Sequence, residues 1–131
     1  MGLDMYLNGE KFFWTNWKEP EKNFTIDGFK VNTQDLRLGY WRKHPNLHGY
    51  IVETFANGED ECQRIELSAE NIKKIIAAVK ENKLPHTEGF FFGSSEGIEA
   101  QETIDIFTKA LEWESTKEKN VSRRVYYQAS W

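Results

Sequence analysis

The run CQRIELSAENIKKIIAAV, residues 62 to 79, changes its hydrophobic period at Ser68. Before Ser68, Ile65 and Leu67 alternate with Arg64 and Glu66, the two-residue period of a half-buried strand. After it, Ile72, Ile75, Ile76 and Val79 keep the i, i+3, i+4, i+7 spacing of an amphipathic helix, with Ser68 as its N-cap and Glu70 in its first turn. A strand running directly into a helix makes this a mixed domain, and the rest of the chain decides how the two kinds of element are shared out.

Both ends of the chain read as strands. Leu3, Met5 and Leu7 alternate with Asp4, Tyr6 and Asn8, while Val125, Tyr127, Ala129 and Trp131 alternate with Arg124, Tyr126, Gln128 and Ser130. A final strand that apolar is expected to be tied into the sheet. Pro45 suits the first turn of a helix. Leu47, Ile51, Val52 and Phe55 then share one side of a helical wheel with His44 and His48, so both histidines are expected to face inward, and Asn57-Gly58 ends the helix. Leu84-Pro85 is expected to stop the helix that follows Ser68. Gly89-Phe90-Phe91-Phe92-Gly93 reads as a short buried strand. Ser94, Ser95, Glu96 and Glu99 then supply capping and acidic residues to a long third helix with the core stripe Ile104, Phe107 and Leu111, closed by Lys117 and Lys119. Between the first strand and this body lies an aromatic loop, Phe12, Phe13, Trp14 and Trp17, followed by a hairpin turning at Asp27-Gly28. The expected fold is α+β: a single domain over residues 1–131, with a mainly antiparallel sheet of about four strands packed with three helices. An aromatic β-hairpin insertion at about residues 9–36 completes it.

Composition narrows the function. The 131 residues include nine Phe, five Trp and five Tyr, so aromatics must carry much of the core. A net charge of −4 makes nucleic acid an unlikely partner, since such binding needs a cationic footprint. The single cysteine, Cys62, has no internal disulfide partner, and neither a CxxC pair nor a signal peptide is present. A cytoplasmic protein that begins where its gene begins is expected. No apolar run is long enough for a membrane span, so no membrane partner is expected either.

The chemistry-bearing residues cluster in three places. Gly39-Tyr40-Trp41-Arg42-Lys43-His44-Pro45-Asn46-Leu47-His48 crowds two cations and two histidines at the expected start of a helix, where unpaired N–H groups favour anions instead. A local rule broken at one place marks a candidate site, and Arg42, Lys43, His44 and His48 are read as anion contacts, against the alternative of ordinary surface cations for Arg42 and Lys43 and satisfied semi-buried side chains for the histidines. The histidines have metal-ligand spacing, but Gly49 follows His48, so there is no HExxH and no third ligand; no metal is expected. Second, Gly93-Ser94-Ser95 opens a helix after a strand, offering amides and the Ser94 and Ser95 hydroxyls to a phosphate or carboxylate, with plain N-capping as the commoner use. Third, if the first and last strands are neighbours in matching register, Asp4, Tyr6, Arg124, Tyr126 and Gln128 form one polar aromatic surface suited to stacking a base, against the alternative of a plain solvated sheet face. Phe12, Phe13, Trp14 and Trp17 form a candidate interaction patch. Cys62 reads as structural, no pair of acids can be assigned as donor and base, and neither a catalytic residue nor a cofactor is called for.

Five ordered motifs, Met-Gly-Leu-Asp-Met-Tyr-Leu at the start, Gly-Tyr-Trp-Arg-Lys with a following Leu-His, the lone Cys after an acidic loop, Gly-Phe-Phe-Phe-Gly-Ser, and the closing Tyr-Tyr-Gln-Ala-Ser-Trp, resemble a family of small uncharacterised proteins of bacteriophages and prophages. The resemblance implies a phage accessory protein acting in the host cytoplasm and brings no activity with it. Residues and resemblance together point to a non-enzymatic binding protein that sequesters an anionic or nucleotide-like ligand to counter host defence. The alternatives are a module, with a homodimer as one form, that inhibits a host protein through its aromatic patch, and a small enzyme using His48 as acid or base.

Overall fold

The computed structural model describes residues 2–89, 93–95 and 97–131. The first strand, β1 (Asp4–Phe13), alternates through its first half: Leu3, Met5, Leu7 and Gly9 are buried while Asp4, Tyr6, Asn8 and Glu10 are not. After the insertion, with strands β2 (Thr25–Ile26) and β3 (Phe29–Lys30), the chain returns as β4 (Thr33–Arg42), antiparallel to β1. Helix α1 (Pro45–Phe55), strand β5 (Ile65–Leu67) and helices α2 (Ala69–Lys80) and α3 (Ala100–Ser115) follow, and β6 (Val121–Ser130) closes the fold. The sheet is antiparallel in the order β4-β1-β6-β5, so the two ends of the chain lie side by side at its centre.

One face of the sheet carries the core. Leu3, Met5, Leu7, Val125, Tyr127 and Ala129 meet Leu47 and Ile51 of α1, Ile72 and Ile75 of α2 and Phe107 of α3. Trp41, at the end of β4, stacks on Phe107 with ring centroids 5.2 Å apart, and its indole N–H donates to Thr103 Oγ1 at 3.1 Å. The packing thus follows the expected α+β plan, with three helices and a mainly antiparallel four-stranded sheet. The hairpin turn also forms as read: Asp27 and Gly28 both have positive φ, 54° and 83°, which a two-residue turn of this kind requires and glycine and aspartate tolerate.

Several local expectations are corrected. Residues 33–42 form a full strand where the sequence reading had only the approach to a helix. Phe12 and Phe13 belong to β1, so the insertion between β1 and β4 spans residues 14–32 and not 9–36. Helix α2 ends before Leu84-Pro85: Asn82 adopts φ 53°, Lys83 N–H bonds to Ala78 C=O and Asn82 N–H to Val79 C=O, a Schellman closure. Helix α3 starts at Ala100 after Glu99, which offers no side-chain cap, and Lys117 and Lys119 lie beyond its end. Trp131 lies past β6, and it is 42 % exposed instead of continuing the inward alternation. The triple-phenylalanine strand expected at residues 90–92 falls outside the described residues.

Candidate functional site

The sheet's second face is built by β1, β4 and β6 in register. Tyr6 stands opposite Tyr40 on one side and Gln128 on the other; Asn8 stands between Arg37 and Tyr126; Glu10 opposes Asp35 and Arg124. Because side chains two apart on a strand share a face, the condition set by the sequence is met: Asp4, Tyr6, Arg124, Tyr126 and Gln128 lie on one surface. β4 adds Tyr40 and Arg37 to it, and Arg64 enters just before β5.

Two guanidinium groups lie over phenol rings on this face. Arg37 sits 4.5 Å from the Tyr6 ring centroid and donates from Nε to Asn8 Oδ1 at 2.8 Å. Arg64 sits 3.9 Å from the Tyr126 centroid, and its nearest carboxylate, Glu10, is 3.9 Å away. Each cation sits over an aromatic ring, and the two bracket a depression of about 420 Å³ lined by Asn8, Asp35, Leu36, Arg37, Arg64 and Gln128. The Gln128 amide is fixed by donating to Cys62 C=O at 2.9 Å. At the end of the face Tyr40 donates to Asp4 Oδ1 at 2.5 Å, which raises its pKa above the ordinary phenol value, and the Tyr6 and Tyr40 rings are 5.4 Å apart. Hydrogen bonding to Tyr126, with the fields of Glu66 and Glu10 assisting, likewise holds the Arg124 guanidinium in its charged form. A larger groove of about 690 Å³ between the end of α3 and β6 is lined by residues of mixed charge.

The residues expected around the start of α1 separate. Arg42 is the last residue of β4 and turns to Asp4, Nη1 to Oδ1 3.5 Å, on the open face. Lys43 takes a positive φ of 55° and is exposed. His44 and His48 face inward, only 6 % and 2 % exposed. The wrong-signed helix start resolves through Ser95, whose Oγ accepts the Asn46 N–H at 3.1 Å and lies 2.9 Å from His44 Nδ1. Ser95 therefore caps α1 across the chain and not the third helix. Burial lowers the pKa of His44 from 6.5 to about 4, so it is neutral at pH 7, with its Nδ1 hydrogen-bonded to the Ser95 hydroxyl. Ser94 is exposed beside it.

His48 joins a different cluster. Its Nε2 lies 2.9 Å from Asp60 Oδ2 and its Nδ1 2.6 Å from the Tyr127 hydroxyl. A carboxylate only accepts, so Nε2 carries hydrogen, and in the neutral imidazole Nδ1 accepts from Tyr127. Burial first, and Asp60 second, push the Tyr127 pKa well above 10, which keeps that donor protonated. Asp60 Oδ1 also accepts the Trp131 indole N–H at 3.2 Å. Acid, imidazole and hydroxyl follow the order of a nucleophilic relay, but Tyr127 is 0 % exposed, and the arrangement ties α1 and the loop after it to β6.

In the aromatic segment, Phe13 stacks on Phe24 at 5.1 Å and Phe12 meets Trp14 edge-on at 4.7 Å, while the Trp14 indole donates to Ser122 Oγ at 2.7 Å. Trp17 remains 85 % exposed and Phe29 77 %. Among the described residues no group of three or more His, Cys, Asp or Glu is placed to hold a metal ion, and no helix is long and apolar enough to cross a membrane.

Arg37 and Tyr40 were missing from the expected surface because β4 was missing, whereas Asn8 lay on a strand that was read but was not singled out. The signal was present in Leu36 and Leu38 alternating with Asp35 and Arg37, and the cations at Arg42 and Lys43 drew the reading toward the helix start instead. No family model, curated protein or solved structure matches this chain.

Proposed function

We propose that the protein is a non-enzymatic phage accessory protein that binds an anionic, nucleotide-like ligand on the open face of its sheet and so withholds it from host defence. The observation that carries the reading is the pair of guanidinium groups, Arg37 over Tyr6 and Arg64 over Tyr126, on either side of one depression. A nucleotide needs a plane to stack its base on and cations for its phosphate, and the guanidinium groups of Arg37 and Arg64 at the edge of the depression, each backed by a phenol ring, offer both. The face as a whole is not cationic: Asp4, Glu10, Asp35 and Glu66 accompany Arg37, Arg42, Arg64 and Arg124, which suits a small ligand better than a long polyanion. The phage context comes from the resemblance of the sequence motifs.

Calorimetric titration with AMP, UMP and inorganic phosphate tests it. Arg64→Ala is expected to weaken mononucleotide binding by about tenfold, the value of one partly desolvated cation contact, and Arg64→Lys to recover only part of that loss because an ammonium does not stack as a planar guanidinium does. Absence of heat with every nucleotide, or equal binding by wild type and both variants, ends the proposal.

The exposure of Trp17 and Phe29 favours a second reading, in which the insertion docks on a host protein. Trp17→Ser is then expected to change folding stability by no more than about 0.5 kcal/mol, as for other surface substitutions. Acrylamide quenching of Trp17 fluorescence should be efficient in the free protein and shielded with a true partner bound; an indole already shielded in the free monomer contradicts this reading.

A further inference from the structure

Strand β4 forms one edge of the sheet and is ten residues long, whereas β5 at the other edge has three. Among the described residues its backbone pairs with β1 alone. Long edges are ordinarily blunted by proline, charged side chains, bulges or a covering element. The bulge of β4 lies at Leu38, and the segment from Thr33 to Arg37 before it is regularly paired with β1, exposed and free of proline and lysine, its charges being one acid and one base.

The side chains there are self-complementary. Asp35, Leu36 and Arg37 place an acid and a base symmetrically about an apolar residue. Among the described residues Asp35, which stands opposite the like charge of Glu10, makes no ion pair, and Arg37, which rests on Tyr6 and Asn8, has no carboxylate within ion-pair distance. We propose that two copies of the protein pair antiparallel through β4 about Leu36, joining their sheets into one. This register sets Asp35 opposite the partner's Arg37 and Arg37 opposite the partner's Asp35, on the open face. The two Leu36 side chains, each 37 % exposed in the single chain, meet on the helix-bearing face, where Leu36 pairs with Gly9. A twofold axis through one residue preserves the facing of every side chain, so nothing buried is turned outward. A peptide from another protein could use the same edge, but the charge symmetry about Leu36 fits a second copy. Asp35 and Arg37 also line the depression described above, so pairing brings the two depressions together at the seam.

Sedimentation equilibrium on the full chain tests the proposal, independently of nucleotide binding. Wild type is expected to dimerise. Asp35→Lys and Arg37→Glu should each raise the dissociation constant by about tenfold or more, because two opposite-charge pairs become two like-charge pairs. Both residues are exposed, and circular dichroism verifies that the variants fold. An equimolar mixture of the two variants should recover the wild-type constant, since the ammonium introduced in one chain then faces the carboxylate introduced in the other. A wild type that stays monomeric at its highest soluble concentration, a dimer indifferent to either reversal, or a mixture that does not reassociate would each overturn the pairing.

Discussion

Tyr127→Ala is expected to lower unfolding free energy by about 3–5 kcal/mol, the usual cost of removing a large buried aromatic. A domain of this size is held together by roughly 5–15 kcal/mol, so the variant should be close to unfolding at room temperature. The ring is wholly buried on β6 between its neighbours in the core, and its hydroxyl is the link to His48. Tyr127→Phe separates the two contributions. It keeps the ring and removes one hydrogen bond from an almost fully buried imidazole, for which the expected cost is about 1–3 kcal/mol. Urea denaturation of the three proteins measures both numbers. If the phenylalanine variant is as stable as wild type, the contact between His48 and Tyr127 contributes nothing to stability. If it is as unstable as the alanine variant, the hydroxyl and not the ring decides.

The comparison of sequence with structure turns on which patterns are local. Alternation along β1, β6 and β5, the Ser68 cap and the wheel that turned His44 and His48 inward are properties of short segments, so each was legible from spacing alone. The open face was legible only as a condition, because Tyr6 and Gln128 are separated by most of the chain and meet through strand pairing. β4 was obscured by its bulge: Leu7 pairs with Gly39 but Asn8 with Arg37, which leaves Leu38 unpaired and breaks the two-residue rhythm before Trp41. The partner of His44 was hidden for a different reason. Ser95 looked like the cap of the nearest helix in sequence, yet it caps a helix that begins fifty residues earlier. Sequence proximity assigns a cap to its own helix, and only tertiary structure reveals one supplied in trans.

The same serine underlies the expected response to acid. Burial lowers the His44 pKa to about 4 in the folded protein, against 6.5 for the free side chain. Between these values the unfolded chain binds a proton that the folded protein does not, so stability rises with pH through that window. The contribution is complete above about pH 6.5, declines as the pH falls and is gone below about pH 4; integrated, it amounts to on the order of 3 kcal/mol. His44→Asn tests this directly. Asparagine places a carbonyl oxygen near the position of Nδ1, does not titrate, and is a favoured residue at a helix N-cap. Glu118, whose pKa is lowered by hydrogen bonds from Lys11 and Arg123, contributes its own loss toward low pH, and that loss is common to both proteins. The quantity to follow is therefore the difference between wild type and variant in unfolding free energy, from urea denaturation across the window. It should shift in favour of the variant by on the order of 3 kcal/mol as the pH is lowered, and parallel pH curves for the two proteins would show that His44 is not held neutral by the fold.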